Sequence, residues 1–375
     1  MSISIYLRPS LSGAWSRCAG YAALNSQVDA IPDDELGNEV REDGTACHWL
    51  AQELIAGNSH AIGDISPNGR ELTPEMFDAV DEYRALLASW ACVPVIEQPL
   101  PVSQHMPGIQ DGTPDAWGLN GTTLHVGDLK YGFAPVEVWK NSQLTIYAYT
   151  LLKMLVAAGH VVRKIVFHIC QPRCAHRDGT TRSWATTPEE LCALGQHLIE
   201  RAWECYAAEP LCTVGPQCAN CPASYACQSL QAAGLRAVEV SYGATAMELT
   251  ERQLGHELAV LMQAQKNMEN RIVGLSAQAE HLLRRGKRVP GFELGRKATR
   301  WRWRNGADQM LRRLGEMFGV EVETPPAIKS VAKLRNSFPI DVQTMYAEKP
   351  EGELKLRMID PHEAEKRFTT NHNQR

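Results

Sequence analysis

The chain has 375 residues, 44% hydrophobic and 22% charged, the balance of a globular protein with room for one large domain and a smaller one. No apolar run approaches the roughly 18–20 residues of a membrane span, and "MSISIYLRPS" at the N-terminus lacks the regions of a signal peptide. A cytoplasmic protein without a membrane partner is expected. The net charge of −5 conceals an asymmetry: residues 29–43 carry seven Asp/Glu against one Arg, whereas residues 284–304 carry nine Lys/Arg against one Glu, a candidate polyanion surface.

In chain order, "DGTACHWLAQELIAG" (43–57) has a helical period, with Asp43 as N-cap and Gly57 as stop. A clearer helix covers 73–91, with Pro in its first turn. "PVIEQPLPV" (94–102) is extended, its prolines marking a sheet edge. Two strands follow around Asn120-Gly121, the dipeptide favoured in a type I′ hairpin turn. Residues 141–159 form a helix, the β-branched run 161–172 a buried strand, and 187–208 a capped helix leading into a cysteine-rich segment. A long amphipathic helix spans 249–286; 289–305 predicts a β-hairpin and 324–336 a short helix. The change of texture places a domain boundary near 231–248, dividing the chain into 1–230 and 231–375.

With Asn120-Gly121 as the loop, Leu119 faces Thr122 and Asp115 faces Val126. Asp115 and Asp128 then become diagonal neighbours ~7–8 Å apart, with Lys130 on the same face. Two close carboxylates repel unless a cation lies between them, and hard divalent ions take oxygen ligands. Mg²⁺ or Mn²⁺ held there would activate water against a phosphate, and a neighbouring lysine would stabilise the developing charge. An isolated Asp-x-Lys is more often part of a polar surface hairpin. The neighbouring motifs therefore decide between the two.

The ordered set "GTACH" (Gly44, His48), "GTPDAW" (Asp115), "DLK" (Asp128, Lys130) and "QLTIY" (Gln143, Tyr147) resembles the PD-(D/E)XK nuclease core. More narrowly, it is similar to the RecB-type nuclease domain. The resemblance covers about residues 5–230 and implies an α/β restriction-endonuclease-like fold, a mixed central sheet flanked by helices. By the resemblance His48, Asp115, Asp128 and the Leu129 carbonyl are metal ligands. Lys130 is the catalytic lysine, and Gln143 and Tyr147 position DNA or that lysine. Glu97 lies where some members place an extra acid.

Eleven cysteines without an export signal argue against a disulfide framework. Cys218, Cys221 and Cys227 form a Cys-x₂-Cys-x₅-Cys run that needs a fourth ligand to close a zinc or cubane site, either nearby Cys212 or distant Cys18. Some RecB-type nucleases, including AddB-like proteins and a CRISPR-associated exonuclease family, hold a [4Fe–4S] cluster. They use one Cys before the nuclease motifs and three after, which implies Cys18, Cys218, Cys221 and Cys227 here. Ala19 replaces the usual Pro after the first of them. Zinc with Cys212 as fourth ligand is the alternative. Such a cluster closes a loop of about 200 residues, where the entropy removed from the unfolded chain is large.

Downstream, Arg296, Lys297, Arg300, Arg302 and Arg304 alternate with Trp301 and Trp303, a pattern suited to following phosphates and stacking bases. The same tryptophans equally suit packing beneath the long helix. The combined expectation is a Mg²⁺/Mn²⁺-dependent DNA exonuclease with a [4Fe–4S] cluster, acting in phage or prophage recombination or DNA processing. Its partners would be single-stranded DNA or duplex ends, with a recombination or single-strand-binding protein beside it. The rival is a non-catalytic or zinc-stabilised DNA-binding protein built on the same fold.

Overall fold

A computed structural model describes residues 5–28, 35–241 and 249–294. After a short 3₁₀ turn at Pro9–Leu11 come α1 (Ser12–Trp15), α2 (Gly20–Gln27), α3 (Glu35–Ala56) and α4 (Pro74–Ala88). Then follow β1 (Val95–Ile96), α5 (Val102–His105), β2 (Ala116–Asn120), β3 (Thr123–Leu129), α6 (Ser142–Ala157), β4 (Lys164–Cys170), β5 (Thr181–Thr186) and α7 (Pro188–Cys205). The cysteine-rich segment leads into α8 (Gln228–Ser241) and α9 (Glu251–Arg284).

The helix starts obey side-chain chemistry. Thr73, Asn141, Thr187 and Thr250 each accept a hydrogen bond from a first-turn amide, satisfying a donor that the helix leaves orphaned. One start differs from expectation. Helix α3 begins at Glu35, and Asp43 lies inside it, where its carboxylate pairs with the Arg70 guanidinium at 2.7 Å. Gly57 does end the helix, at φ +90°.

The strands form one sheet in the order β1-β2-β3-β4-β5. Its pairs are antiparallel except β3 with β4, whose parallel alignment requires a crossover, supplied by α6. Strand β5 was not foreseen. Its alternation of buried Arg182, Trp184 and Thr186 with more exposed neighbours is that of a strand covered on one face. Alternation along β3 and β4 sends Leu124, Val126, Ile165, Phe167 and Ile169 into a core with α6 and α7. Leu129 and Cys170 join a second core with α3 and α4.

Where α6 meets α7, a methyl group on Gly195 would stand 2.2 Å from Tyr149 Cδ2. Gly195→Ala should therefore lower the urea midpoint by the equivalent of about 1–3 kcal/mol, the usual cost of overpacking. On the α4 side of the sheet, His125 and His168 lie beneath Trp90 with their ring nitrogens 3.0 Å apart, and His168 Nδ1 meets Ser183 Oγ at 2.8 Å. Burial, and secondarily His125, push His168 down to about 3. The unfolded chain, with histidine near 6.5, then binds the extra proton between these values, so stability is full above about pH 6.5 and falls on acidification. Urea titrations should show about 2 kcal/mol lost between pH 7 and 5, a component that His168→Gln removes.

Of the expected boundary near 231–248, residues 231–241 belong to α8 and 242–248 lie outside the described residues. Helix α9 packs on the cysteine segment: Arg271 donates to the Ser224 carbonyl at 2.8 Å and to that of Tyr225. Gly274 permits the contact, since a Cβ there would lie 2.2 Å from Ser224 Oγ. Among the described residues, no helix is long and apolar enough to cross a membrane.

Candidate metal centre and cysteine pocket

The hairpin register differs from expectation in a way that strengthens the site. Asn120 pairs with Thr123 and Ala116 with Gly127, so Gly121-Thr122 is the loop. Of these two, only Gly121 has positive φ, at +58°, the pattern of a type II′ turn with Gly first rather than type I′. The shift is two residues, so every side chain keeps its face. Asp115, one position before β2, comes level with Asp128 instead of diagonal to it. Its Oδ2 accepts from the Leu129 amide at 2.7 Å, the bond that ties Leu129 to the site.

Around Asp115 gather residues from two other segments. His48 of α3 puts Nδ1 3.5 Å from Asp115 Oδ2. Glu97 follows β1, and its amide donates to the Asp115 carbonyl at 3.1 Å. One ligand atom each from His48, Glu97 and Asp115 lies within 4.8 Å of the others, and among the described residues this is the one such His/Cys/Asp/Glu group. Glu97 has φ +48°, a conformation costing a non-glycine residue about 1 kcal/mol or more, held at the point where its carboxylate joins the cluster. Burial, then the Asp115 charge, push Glu97 up to about 7, with His48 opposing.

Asp128 is 3% exposed. Its Oδ1 accepts from Lys130 Nζ at 2.7 Å, but its Oδ2 is buried without a hydrogen-bond partner. Burial raises its pKa, and Lys130 counters. Burial alone would lower Lys130, yet Asp128 and Asp115 outweigh it, and the lysine stays protonated more firmly than usual. Lys130 Nζ also donates to Gln143 Oε1 at 3.4 Å, and Gln143 hydrogen-bonds Tyr147 one turn along α6. Tyr147 is itself pushed up, chiefly by burial.

Three carboxylates, one of them with an orphaned oxygen, and one imidazole at one sheet end fit a hard divalent cation such as Mg²⁺ or Mn²⁺. One neighbour had no sequence signal. Tyr83 of α4 sits in the second core with an unpartnered hydroxyl, raised by burial and then by Asp115 and Asp128. In sequence it is an apolar-face tyrosine like any other.

The second site gathers five thiols. Cys18, Cys212, Cys218, Cys221 and Cys227 line one pocket with Tyr21, Leu24 and Leu230. Amides and a carboxamide point at the sulfurs: Thr213 N–H to Cys18 at 3.4 Å, Gly215 N–H to Cys218 at 3.5 Å, and Asn25 Nδ2 to Cys221 at 3.7 Å. Such donors favour thiolates, the form that binds metal. Cys212 sits between Cys18 and Cys227; hydrogen bonding from it lowers both, and the same bonds hold its own proton. The segment docks closely, for a Cβ on Gly20 would lie 2.3 Å from Cys212 Sγ. Both sequence candidates for fourth ligand are thus present. Five thiols in one pocket fit the donor set of either a tetrahedral zinc or an iron–sulfur cluster.

Arg296, Lys297, Arg300, Trp301, Arg302, Trp303 and Arg304 lie outside the described residues, as do most of the expected 289–305 hairpin and the 324–336 helix.

Fold and site together define a mixed α/β protein with a histidine–carboxylate–lysine centre at one end of its sheet and a five-thiol pocket. The chain belongs to the family described as "Protein of unknown function (DUF2800)", whose model matches residues 5–363. No curated protein matches it.

Proposed function

We propose that the protein is a Mg²⁺- or Mn²⁺-dependent deoxyribonuclease of the PD-(D/E)XK, RecB-like type, acting as an exonuclease in DNA processing. The observation that carries this is the convergence of Asp115, Asp128, Lys130 and Gln143 with an unpartnered oxygen on buried Asp128. His48, Glu97, Asp115 and Asp128 would hold the cation. When bound, the cation supplies Lewis acidity and a lowered water pKa. Water adds to phosphorus, the bond to the 3′-oxygen breaks, and a proton passes to that oxygen, leaving a 5′-phosphate. The Lys130 ammonium offsets charge growing on the phosphoryl oxygens, a task suited to its firmly held proton. Gln143 orients Lys130, and Tyr147 fixes Gln143.

Cys18, Cys218, Cys221 and Cys227 are proposed to hold a [4Fe–4S] cluster, which staples the start of the chain to the segment before α8. The meeting of Cys18 with Cys218, Cys221 and Cys227 in one pocket supports this ligand set. An anaerobic assay on end-labelled single- and double-stranded DNA, with Mg²⁺ or Mn²⁺, tests the reading. Wild type should cleave, whereas Asp128→Ala and Lys130→Ala should not. Cleavage persisting in both variants would defeat the site assignment.

A further inference from the structure

The segment leaving the Lys130 site is held by hydrogen bonds from buried side chains, and it exposes an aromatic ring. Gln171, 1% exposed, donates from Nε2 to the carbonyls of Gly132 at 2.9 Å and Ala134 at 2.7 Å. Its Oε1 accepts from the Val136 amide at 3.1 Å and from Arg182 at 2.8 Å, and Arg182 also donates to the Val136 carbonyl at 2.9 Å. Two buried polar side chains are thus used to fix the backbone of 132–136. Phe133, between the two carbonyls that Gln171 holds, is 55% exposed. The Arg173 guanidinium lies 3.9 Å from the Phe133 ring centre and 4.5 Å from that of buried Tyr131. Arg173 is anchored in turn, its Nε 3.6 Å from Glu75 Oε1.

An exposed phenylalanine forgoes about 2 kcal/mol of burial, and a flexible loop would recover part of it by collapse. Here the hydrogen bonds prevent collapse and the guanidinium occupies part of the ring surface, leaving the remainder to solvent. Phe133 lies three positions after Lys130, at most ~11 Å of chain. We propose that Phe133 is a stacking platform for an unpaired nucleobase of the strand whose phosphate lies at Lys130. This rests on the nuclease reading above and adds a substrate preference to it. A flat ring with an exposed surface matches the π-face of a base, which a duplex presents only at its ends, while a single strand presents it at every nucleotide. Arg173 adds a cation beside the platform, which favours a polyanion over an apolar peptide.

The test is fluorescence anisotropy of the full-length protein with two labelled probes, Ca²⁺ replacing Mg²⁺ to slow hydrolysis. One probe is an oligothymidylate of about twenty nucleotides, and the other an abasic sugar–phosphate strand of equal length. Phe133→Ala should weaken oligothymidylate binding about tenfold, within the range for base–aromatic stacking, and leave abasic-strand binding unchanged. Phe133→Tyr should bind the oligothymidylate within about twofold of wild type, since the ring is retained. Unchanged oligothymidylate binding by Phe133→Ala, or an equal loss on both probes, overturns the stacking role and leaves the nuclease reading standing. A wild-type protein that binds neither strand sinks both.

Discussion

Asp128→Asn should reduce metal-dependent DNA hydrolysis by about three orders of magnitude while leaving the melting temperature close to wild type. Asn keeps an oxygen to accept from Lys130 Nζ, so the local hydrogen bond survives. It removes the negative charge and the unpartnered Oδ2, the two features that suit this position to a cation. Stability changes little because the weakened pair with Lys130 is offset by the loss of a costly buried charge, and Lys130, whose side chain is 29% exposed, can turn partly to water. The converse variant is asymmetric. Lys130→Met leaves Asp128 charged, enclosed and without its counter-ion, and should cost about 3 kcal/mol of stability as well as activity. Thermal melts beside single-turnover cleavage separate the two. Undiminished cleavage by Asp128→Asn would remove the carboxylate from the reaction.

Anaerobically purified protein should be brown and carry about four irons per chain, and Cys218→Ala should lose both colour and iron. The same loss is expected for Cys18→Ala, whereas Cys212→Ala should keep the iron, because the proposed ligand set is Cys18, Cys218, Cys221 and Cys227. The effect on stability should be large. Joining residue 18 to residue 227 closes a loop of about 200 residues, worth about 5 kcal/mol in the chain-entropy treatment of cross-links. At about 2.1 cal/mol/K of unfolding entropy per residue, that is a fall of roughly 6–10 °C in melting temperature. Metal analysis with calorimetry on the three variants checks it. Stoichiometric zinc in a colourless protein would overturn the cluster assignment, and iron lost only from Cys212→Ala would exchange the ligands.

Much of this was legible before any fold. The helices at 73–91, 141–159 and 187–208 were evident, and the structure finds Thr73, Asn141 and Thr187 capping them; the apolar run at 161–172 contains the buried parallel strand β4. The helix containing His48 was evident, but its true start was not. Asp43 looks like a cap until Arg70, distant in sequence, claims its carboxylate. The hairpin was found from Asn120-Gly121 and placed two residues out of register, because Gly121 suits either the second position of a type I′ loop or the first of a type II′ loop. Pairing along the full strand length settles that choice, and a local dipeptide does not contain it.

The residue types of both sites, and the faces of Asp115, Asp128 and Lys130, follow from strand and helix periods, which are local properties of the backbone. Convergence is not local. Glu97 joins the His48–Asp115 cluster through a positive φ held by Asp115, Tyr83 approaches it across the second core, and Cys212 meets Cys18 through close packing on Gly20. Burial of Asp128 and the orphaning of its Oδ2 likewise arise only when α6 and the sheet close around β3, since desolvation is a property of the assembled core rather than of any segment.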